Sequence, residues 1–129
     1  MANPPDIVAV AHIYGITETT KLTGGTPTPA QVIMPNPADN YTHKINTILI
    51  SNIDGTNNCD VTIYIDENTV LTYLAYTITI PADASLSLID TPLYINHLVT
   101  GTGNRLMATA QNPDDLDIVV SYEQITDVA

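Results

Sequence analysis

Hydrophobic and β-branched residues recur at alternate positions along this chain, in short runs that Gly, Pro, Asn and Asp interrupt. A period of two is typical of β-strands, because successive side chains of a strand point to opposite faces of the sheet. The i, i+3, i+4 spacing of an amphipathic helix does not emerge. Strands at intervals of about 8–12 residues, separated by turn residues, predict an all-β fold built as an antiparallel sandwich or barrel.

The strongest part of this pattern lies at residues 44–66. Two runs rich in β-branched residues flank a polar turn that contains Asp54-Gly55 and Asn57-Asn58, which predicts a strand, a tight reversal and a second strand, in other words a hairpin. The first of these strands spans 41–53. We predict that it is covered on both sides, because apolar residues occupy both of its faces: Ile45, Leu49 and Ile53 on one, Ile48 and Ile50 on the other.

The later segments continue the alternation. Turns are expected at 66–69, 81–83, 90–92, 100–104 and 112–115, where Gly, Pro, Asn and Asp concentrate. Near the C-terminus, Leu106, Ala108 and Ala110 alternate with Arg105, Met107 and Thr109, and the last strand is predicted to face the core with Ile118, Val120 and Tyr122.

The first forty residues differ from the rest of the chain. Strands are plausible at 7–14 and 16–22, but the second is mostly polar and suits an edge strand or an arm. Pro-rich breaks follow at 23–29 and 35–40. We therefore predict an extended N-terminal arm with short strands, residues 1–40, and a sandwich core, residues 41–129. The arm residues expected to contact other subunits are Ile7, Val8, Val10, Ile13, Tyr14, Gln31, Val32, Ile33 and Met34.

Composition and charge exclude some classes of function for this chain. The 129 residues fit one domain whose core lacks Phe and Trp. Three cationic side chains, Lys21, Lys44 and Arg105, stand against fourteen carboxylates, for a formal charge of −11. Phosphate backbones and anionic membranes need several cations in one patch, so we predict that the chain binds neither. The N-terminus lacks a signal-peptide pattern and no apolar run approaches the ~20 residues of a membrane span, so we expect a soluble product made in a cytoplasm.

No combination of residues predicts catalysis. The lone Cys59 lacks a neighbouring base or cation, the three histidines are not at metal-ligand spacing, and no serine lies in a Gly-x-Ser-x-Gly elbow. Asp54, Asn57, Asn58 and Asp60 could offer oxygen ligands to Ca²⁺, but the distal Glu of an EF-hand is missing. Asx residues also favour turns for local reasons. We predict a protein that is not an enzyme and that uses no cofactor.

Four segments resemble, in the same order, small virion structural proteins of tailed bacteriophages, best known from phages of cyanobacteria and other aquatic bacteria. They are ISNIDGTNNCDVTI (50–63), LAYTITIPADASL (74–86), PLYI (92–95) and LDIVVSYEQI (116–125). The resemblance covers roughly residues 44–125 together with the Met-Ala-Asn-Pro-Pro start. Where that family usually has a Glu-Gly-Asp turn, this chain has the loop 97–104, so contacts of that loop do not carry over.

The resemblance implies an Ig-like or jelly-roll-like β-sandwich without enzymatic activity, located in a virion assembled in the host cytoplasm. Such proteins decorate or cement the capsid, surround the neck or belong to a fibre, and contact major capsid, portal, neck or fibre proteins. We expect a homo-oligomer, with a trimer as the first guess. The alternative is a receptor- or glycan-binding fibre module, which would need an exposed aromatic cluster around Tyr73, Tyr94 and the loop 97–104.

Overall fold

The computed structural model describes residues 10–23 and 30–127. These residues form nine strands, and within these ranges no helix is long and apolar enough to cross a membrane. The prediction of an all-β fold is confirmed. The strands are β1 Val10–Lys21, β2 Gln31–Met34, β3 Tyr41–Asn52, β4 Cys59–Glu67, β5 Val70–Ile80, β6 Ser85–Ser87, β7 Leu93–Asn96, β8 Asn104–Ala110 and β9 Leu116–Asp127.

Two antiparallel sheets make up the sandwich. Sheet A has the order β1-β9-β3-β6, and β7 pairs with the same side of β3 as β6. Sheet B has the order β2-β8-β4-β5. If β6 and β7 are counted as one interrupted strand, consecutive strands change sheet except at the β4–β5 hairpin. This eight-strand order is that of a jelly roll, whereas an immunoglobulin fold has a different grouping of strands.

The core lies between the sheets and is aliphatic. Buried side chains come from both sheets, and the predicted inward-facing residues of β9 are among them. Tyr122 is the one aromatic residue of this core cluster. The main buried residues are Leu22, Met34, Ile45, Ile48, Ile50, Val61, Ile63, Ile80, Ile95, Leu106, Leu116 and Ile118.

Strand β3 differs from its prediction. Ile45 pairs with Tyr122 and Thr47 pairs with the next residue, Ser121, so Asn46 is an extra residue that forms a β-bulge. The bulge shifts the alternation, and therefore Ile45, Ile48 and Ile50 all face the core. Leu49 and Ile53 are exposed. The prediction that β3 is covered on both sides is wrong.

The predicted hairpin at 44–66 is also wrong. β3 belongs to sheet A and β4 to sheet B, so the segment between them crosses from one sheet to the other. The buried Asn52 contributes to this crossing, because its side-chain amide donates to the carbonyls of Asn57 (3.0 Å) and Ile80 (2.9 Å). The tight hairpin of the fold lies at 67–70, where Asn68 and Thr69 both have positive φ, as a type I′ turn requires.

The described part of the predicted arm contributes to both sheets. β1 pairs with β9, β2 pairs with β8, and Leu22, Ile33 and Met34 are buried in the core. β1 is an edge strand, as its polar pattern suggested. The boundary that we placed between residues 40 and 41 stays a prediction, because a single folded chain does not show which part folds by itself.

Candidate functional site

The two sheets leave four strand edges, and three of them are protected against pairing with another chain. β2 has four residues. The opposite edge of sheet A is divided between β6, of three residues, and β7, of four. β5 is long, but Leu74 is an extra residue and a second irregularity lies near Thr77, which has a positive φ of +47°. Short edges and bulges are the usual means of blocking edge-to-edge pairing.

Strand β1 is the unprotected edge. Its pairing with β9 is continuous from Ile13 to Lys21, with an irregularity only between Val10 and His12. The N–H of Leu22 donates to the carbonyl of Leu116 at 2.9 Å. Because hydrogen-bonding direction alternates along an antiparallel strand, the N–H and C=O groups of Thr17 and Thr19 point away from β9. A regular row of backbone donors and acceptors therefore faces outward along β1.

The predicted contact residues divide into three groups. Ile7 and Val8 lie outside the described residues, and Val10 is described only through its backbone pairing with Asp127. Ile13 (57% exposed) and Tyr14 (54% exposed) lie on opposite faces of β1.

The residues from β2 also differ among themselves. Val32 is exposed, and Gln31 is half-buried and accepts a hydrogen bond from the N–H of Thr23 at 3.1 Å. Ile33 and Met34 are buried in the core, so they cannot meet another chain while the sandwich stays closed. Their apolar character reflects packing inside this chain.

A histidine–tyrosine cluster lies on the inner face of sheet A near β1. His43 is buried and its ring packs 4.9 Å from that of Tyr122. Burial lowers the pKa of His43. The hydrogen bond with Gln124 and the charge of Glu18 raise this pKa by less than burial lowers it. Burial likewise raises the pKa of Tyr122. A neutral imidazole among these groups fits a structural role, and Nδ1 of His43 has no partner among the described residues.

Sheet B carries an exposed aromatic cluster on its outer face. Tyr64 and Tyr73 are opposite each other on β4 and β5, with ring centroids 5.4 Å apart, and Tyr76 packs edge-on against Tyr73 at 4.9 Å. Met107 and Val32 continue the same row across β8 and β2. Burial is the main cause that raises the pKa of Tyr64. We call these five side chains the tyrosine patch.

The aromatic cluster expected from the sequence does not form. Tyr94 of β7 pairs with Lys44 of β3 and lies between the half-buried Leu93 and the buried Ile95, so its exposed side chain lies on the outer face of sheet A. The structure thus places Tyr73 and Tyr94 on opposite faces of the sandwich. The tyrosine patch depends on the bulges of β5, which no alternation of the sequence reveals.

The loop 97–104 is fastened by a residue that the sequence did not single out. The side-chain oxygen of Asn36 accepts hydrogen bonds from the N–H groups of Leu98 (3.1 Å) and Asn104 (3.0 Å), and its amide donates to the Leu98 carbonyl at 2.9 Å. Gly103 has a φ of +76°, and a Cβ there would collide with Asn36. The loop is therefore held closely against the β2–β3 connection.

The Asp54–Asp60 segment is explained by turn chemistry. The N–H of Thr56 and the side chain and N–H of Asn57 donate to the Asp54 carboxylate and lower its pKa. Cys59 is fully buried, and burial raises the pKa of its thiol. In the part of the chain that the structure describes, no group of three or more His, Cys, Asp or Glu residues could hold a metal ion.

All three cationic side chains of the sequence form ion pairs with carboxylates of the same chain. Lys21 pairs with Asp117 at 2.8 Å and Lys44 with Glu123 at 3.4 Å, both across sheet A. Arg105 pairs with the buried Asp66 on sheet B. The formal charge of −11 therefore comes from carboxylates that no Lys or Arg neutralises.

No protein-family model and no curated protein matches this chain. Solved structures with some similarity include a protein of Bacillus endospore appendages, which are disulfide-linked pili: 14% identity, 91% of this chain and 89% of that chain covered, TM-score 0.47. Two others come from infectious bursal disease virus, its T13 viral particle (12% identity, TM-score 0.39) and its VP2 subviral particle (15%, TM-score 0.36).

Each viral match includes 90% of this chain. This chain spans only about a third of the viral chains, 31% and 32% of their lengths. At such identities and TM-scores, these similarities carry no argument about function. The evidence for function lies in the sheet edges, the exposed surfaces and the charges of this chain.

Proposed function

We propose that this chain is a non-enzymatic structural protein of a tailed-bacteriophage virion, a capsid decoration or cement protein or a neck-associated protein, which acts through contacts between subunits. The four sequence segments that resemble such proteins support the phage assignment. The jelly-roll topology is compatible with it, since viral capsid domains use this fold, although lectin domains use it as well.

The observation that carries the proposal is the free edge of β1. β1 spans twelve residues, and from Ile13 onward every second residue presents unpaired N–H and C=O groups, while the other three edges are short or bulged. Strand addition to such an edge joins chains through main-chain hydrogen bonds without any catalytic residue. Ile13 and Tyr14 would add apolar contact on either side of the new strand.

Charge favours contact at β1 over contact elsewhere. The strand contains one carboxylate, Glu18, and one cation, Lys21, so its formal charge is zero in a chain of −11. Two copies would repel each other at most other surfaces, because like charges oppose close approach. We propose a homo-oligomer held at β1. Pairing of β1 with β1 of a second copy is a two-fold contact and gives a dimer, so the trimer expected from the sequence needs a second contact surface.

A proline at position 17 tests the role of β1. Thr17→Pro removes an N–H that points away from β9, so it should leave the fold intact and block an added strand. Loss of about two hydrogen bonds per contact, near 1 kcal/mol each, predicts at least about tenfold weaker association. Thr17→Val, which keeps the N–H, is the matched control. Light scattering after size exclusion measures the mass of each variant.

An oligomer in the Thr17→Val variant and a monomer in Thr17→Pro would support the proposal. Equal masses for the two variants would exclude β1 as the contact. The location is tested separately with antibodies against the chain on purified particles of the phage that encodes it. Particles that contain none of the chain would refute the virion assignment, whatever the oligomeric state.

A receptor- or glycan-binding fibre module is the second candidate. The exposed tyrosine rings favour it, since aromatic faces are common in binding sites. It ranks below the structural role because Tyr73 and Tyr94 lie on opposite faces, so the composite site that it required is absent from the described residues.

A further inference from the structure

The tyrosine patch is an apolar surface with a fixed shape. Tyr64 and Met107 are buried beneath their neighbours, while Val32 (43%), Tyr73 (44%) and Tyr76 (55%) remain exposed. The edge-on contacts of Tyr73 with both other rings restrict its orientation. Tyr73 and Tyr76 meet at an interplanar angle of 83°, so they form a corner with two exposed ring surfaces.

A carboxylate lies on the same face beside this corner. Cys59 and Val61 are buried, so Asp60 between them points to the outer face of sheet B. Asp60 pairs with Thr79, whose hydroxyl donates to its carboxylate at 2.7 Å. Thr62 lies two residues from Asp60 along β4, and its hydroxyl oxygen accepts a hydrogen bond from the N–H of Thr77, the residue after Tyr76. No Lys or Arg side chain forms an ion pair with Asp60 within the described residues.

The charges of the chain decide what can occupy the patch. A second copy offers no free cation, because Lys21, Lys44 and Arg105 are each held by a carboxylate of their own chain. It would also bring a formal charge of −11 toward Asp60. A partner with basic side chains gains from the acidic surface and from the aromatic rings, since a cation over a tyrosine ring is attracted by its π-electrons.

We propose that the tyrosine patch binds a basic segment of a different protein, with an Arg or Lys side chain against the corner of Tyr73 and Tyr76 and with Asp60 as its counter-ion. The patch lies on the outer face of sheet B, and the free edge of β1 belongs to sheet A. Both surfaces can therefore be occupied at once. The inference goes beyond subunit contacts at β1 and stands even if β1 remains unpaired.

Titration calorimetry with a capped decapeptide of alternating Arg and Gly tests the proposal on the full chain. Tyr76→Leu and Asp60→Asn should each weaken binding about two- to tenfold, as expected for exposed cation–π and ion-pair contacts. The controls are Tyr94→Leu, an equally exposed tyrosine on the other sheet, and Asp90→Asn, which changes the net charge by the same amount. Both controls should bind like the unmodified chain.

Equal weakening by Asp60→Asn and Asp90→Asn would show attraction by net charge alone and would overturn the proposal. Full affinity in Tyr76→Leu would overturn it too. The chain could instead bind to a glycan array, lose that binding in Tyr76→Leu, and fail to bind the peptide. That result would overturn the proposal and show that the tyrosine patch is a sugar site. Melting curves of all four variants confirm that each is folded before the affinities are compared.

Discussion

Removal of residues at the β3 bulge provides a sharp test of how this sandwich sets its register. Ile45 and Thr47 pair with consecutive residues of β9, so Asn46 is the extra residue between them. Deletion of Asn46 alone leaves a regular strand in which Ile48 and Ile50 still face the core. Deletion of both Asn46 and Thr47 shifts the strand by one position and turns its side chains to the opposite face.

The magnitude follows from burial. Ile48 and Ile50 are fully buried, and exposing an Ile side chain costs about 1.5–3 kcal/mol, which gives roughly 3–6 kcal/mol for both. Leu49, now 40% exposed, would turn inward and recover about 1 kcal/mol. We expect the double deletion to lose about 2–5 kcal/mol of unfolding free energy, and the single deletion to lose no more than about 1 kcal/mol.

Urea unfolding followed by circular dichroism measures both variants. With an m-value of about 1.5 kcal/mol/M, the double deletion should lower the midpoint by roughly 1–3 M. Asn46→Ala, which keeps the number of residues, controls for the side chain. A single deletion that destabilises as much as the double deletion would refute this account of the bulge, and so would a double deletion as stable as the single one.

Two further predictions concern buried polar groups. Arg105→Met should cost about 2–3 kcal/mol of unfolding free energy, because it leaves the Asp66 carboxylate buried without its cation, and the partial exposure of Arg105 keeps the loss below that of a fully buried pair. The double variant with Asp66→Asn should recover part of that loss in the same urea assay; no recovery would argue against the ion pair. His43 has a lowered pKa in the folded chain, so the unfolded chain binds more protons and stability should fall as the pH drops below about 6.5. His43→Gln should reduce this pH dependence between pH 7 and 5, and an unchanged slope would contradict the assignment.

The sequence predicts the strands of this fold better than it predicts their arrangement. Alternation correctly indicates the inward face of β9, and Asx residues mark turns where Asn40, Asn68, Asp83 and Asp114 take positive φ. Each of these signals is local, since it depends on the strand or turn itself.

The errors come from interactions between distant residues. The hairpin predicted at 44–66 fails because β3 and β4 belong to different sheets, and the Asn52 amide at the crossing donates to the Ile80 carbonyl of sheet B. The prediction for the two faces of β3 fails because the bulge at Asn46 depends on the pairing of β3 with β9. Ile33 and Met34 were expected at an interface because a short apolar run does not tell whether its partner is in the same chain.

The candidate surfaces were predictable to a lesser degree. The polar character of β1 suggested an edge, but its regularity relative to the other three edges is visible only in the pairing. The convergence of Tyr64, Tyr73 and Tyr76 depends on the extra residue Leu74 in β5, because strict alternation would have placed Tyr73 and Tyr76 on opposite faces. Their approach is a property of the folded sheet.

The pairing of β1 with β9 has a practical consequence for engineering. Val10 lies opposite Asp127, so the first and last described residues leave the same end of sheet A side by side. A protein fused directly to Val10 or to Asp127 would be displayed at nearly the same place. A short linker between Asp127 and Val10, with new termini in an exposed turn such as 112–115, would give a circular permutant that keeps every strand pairing of the described sandwich.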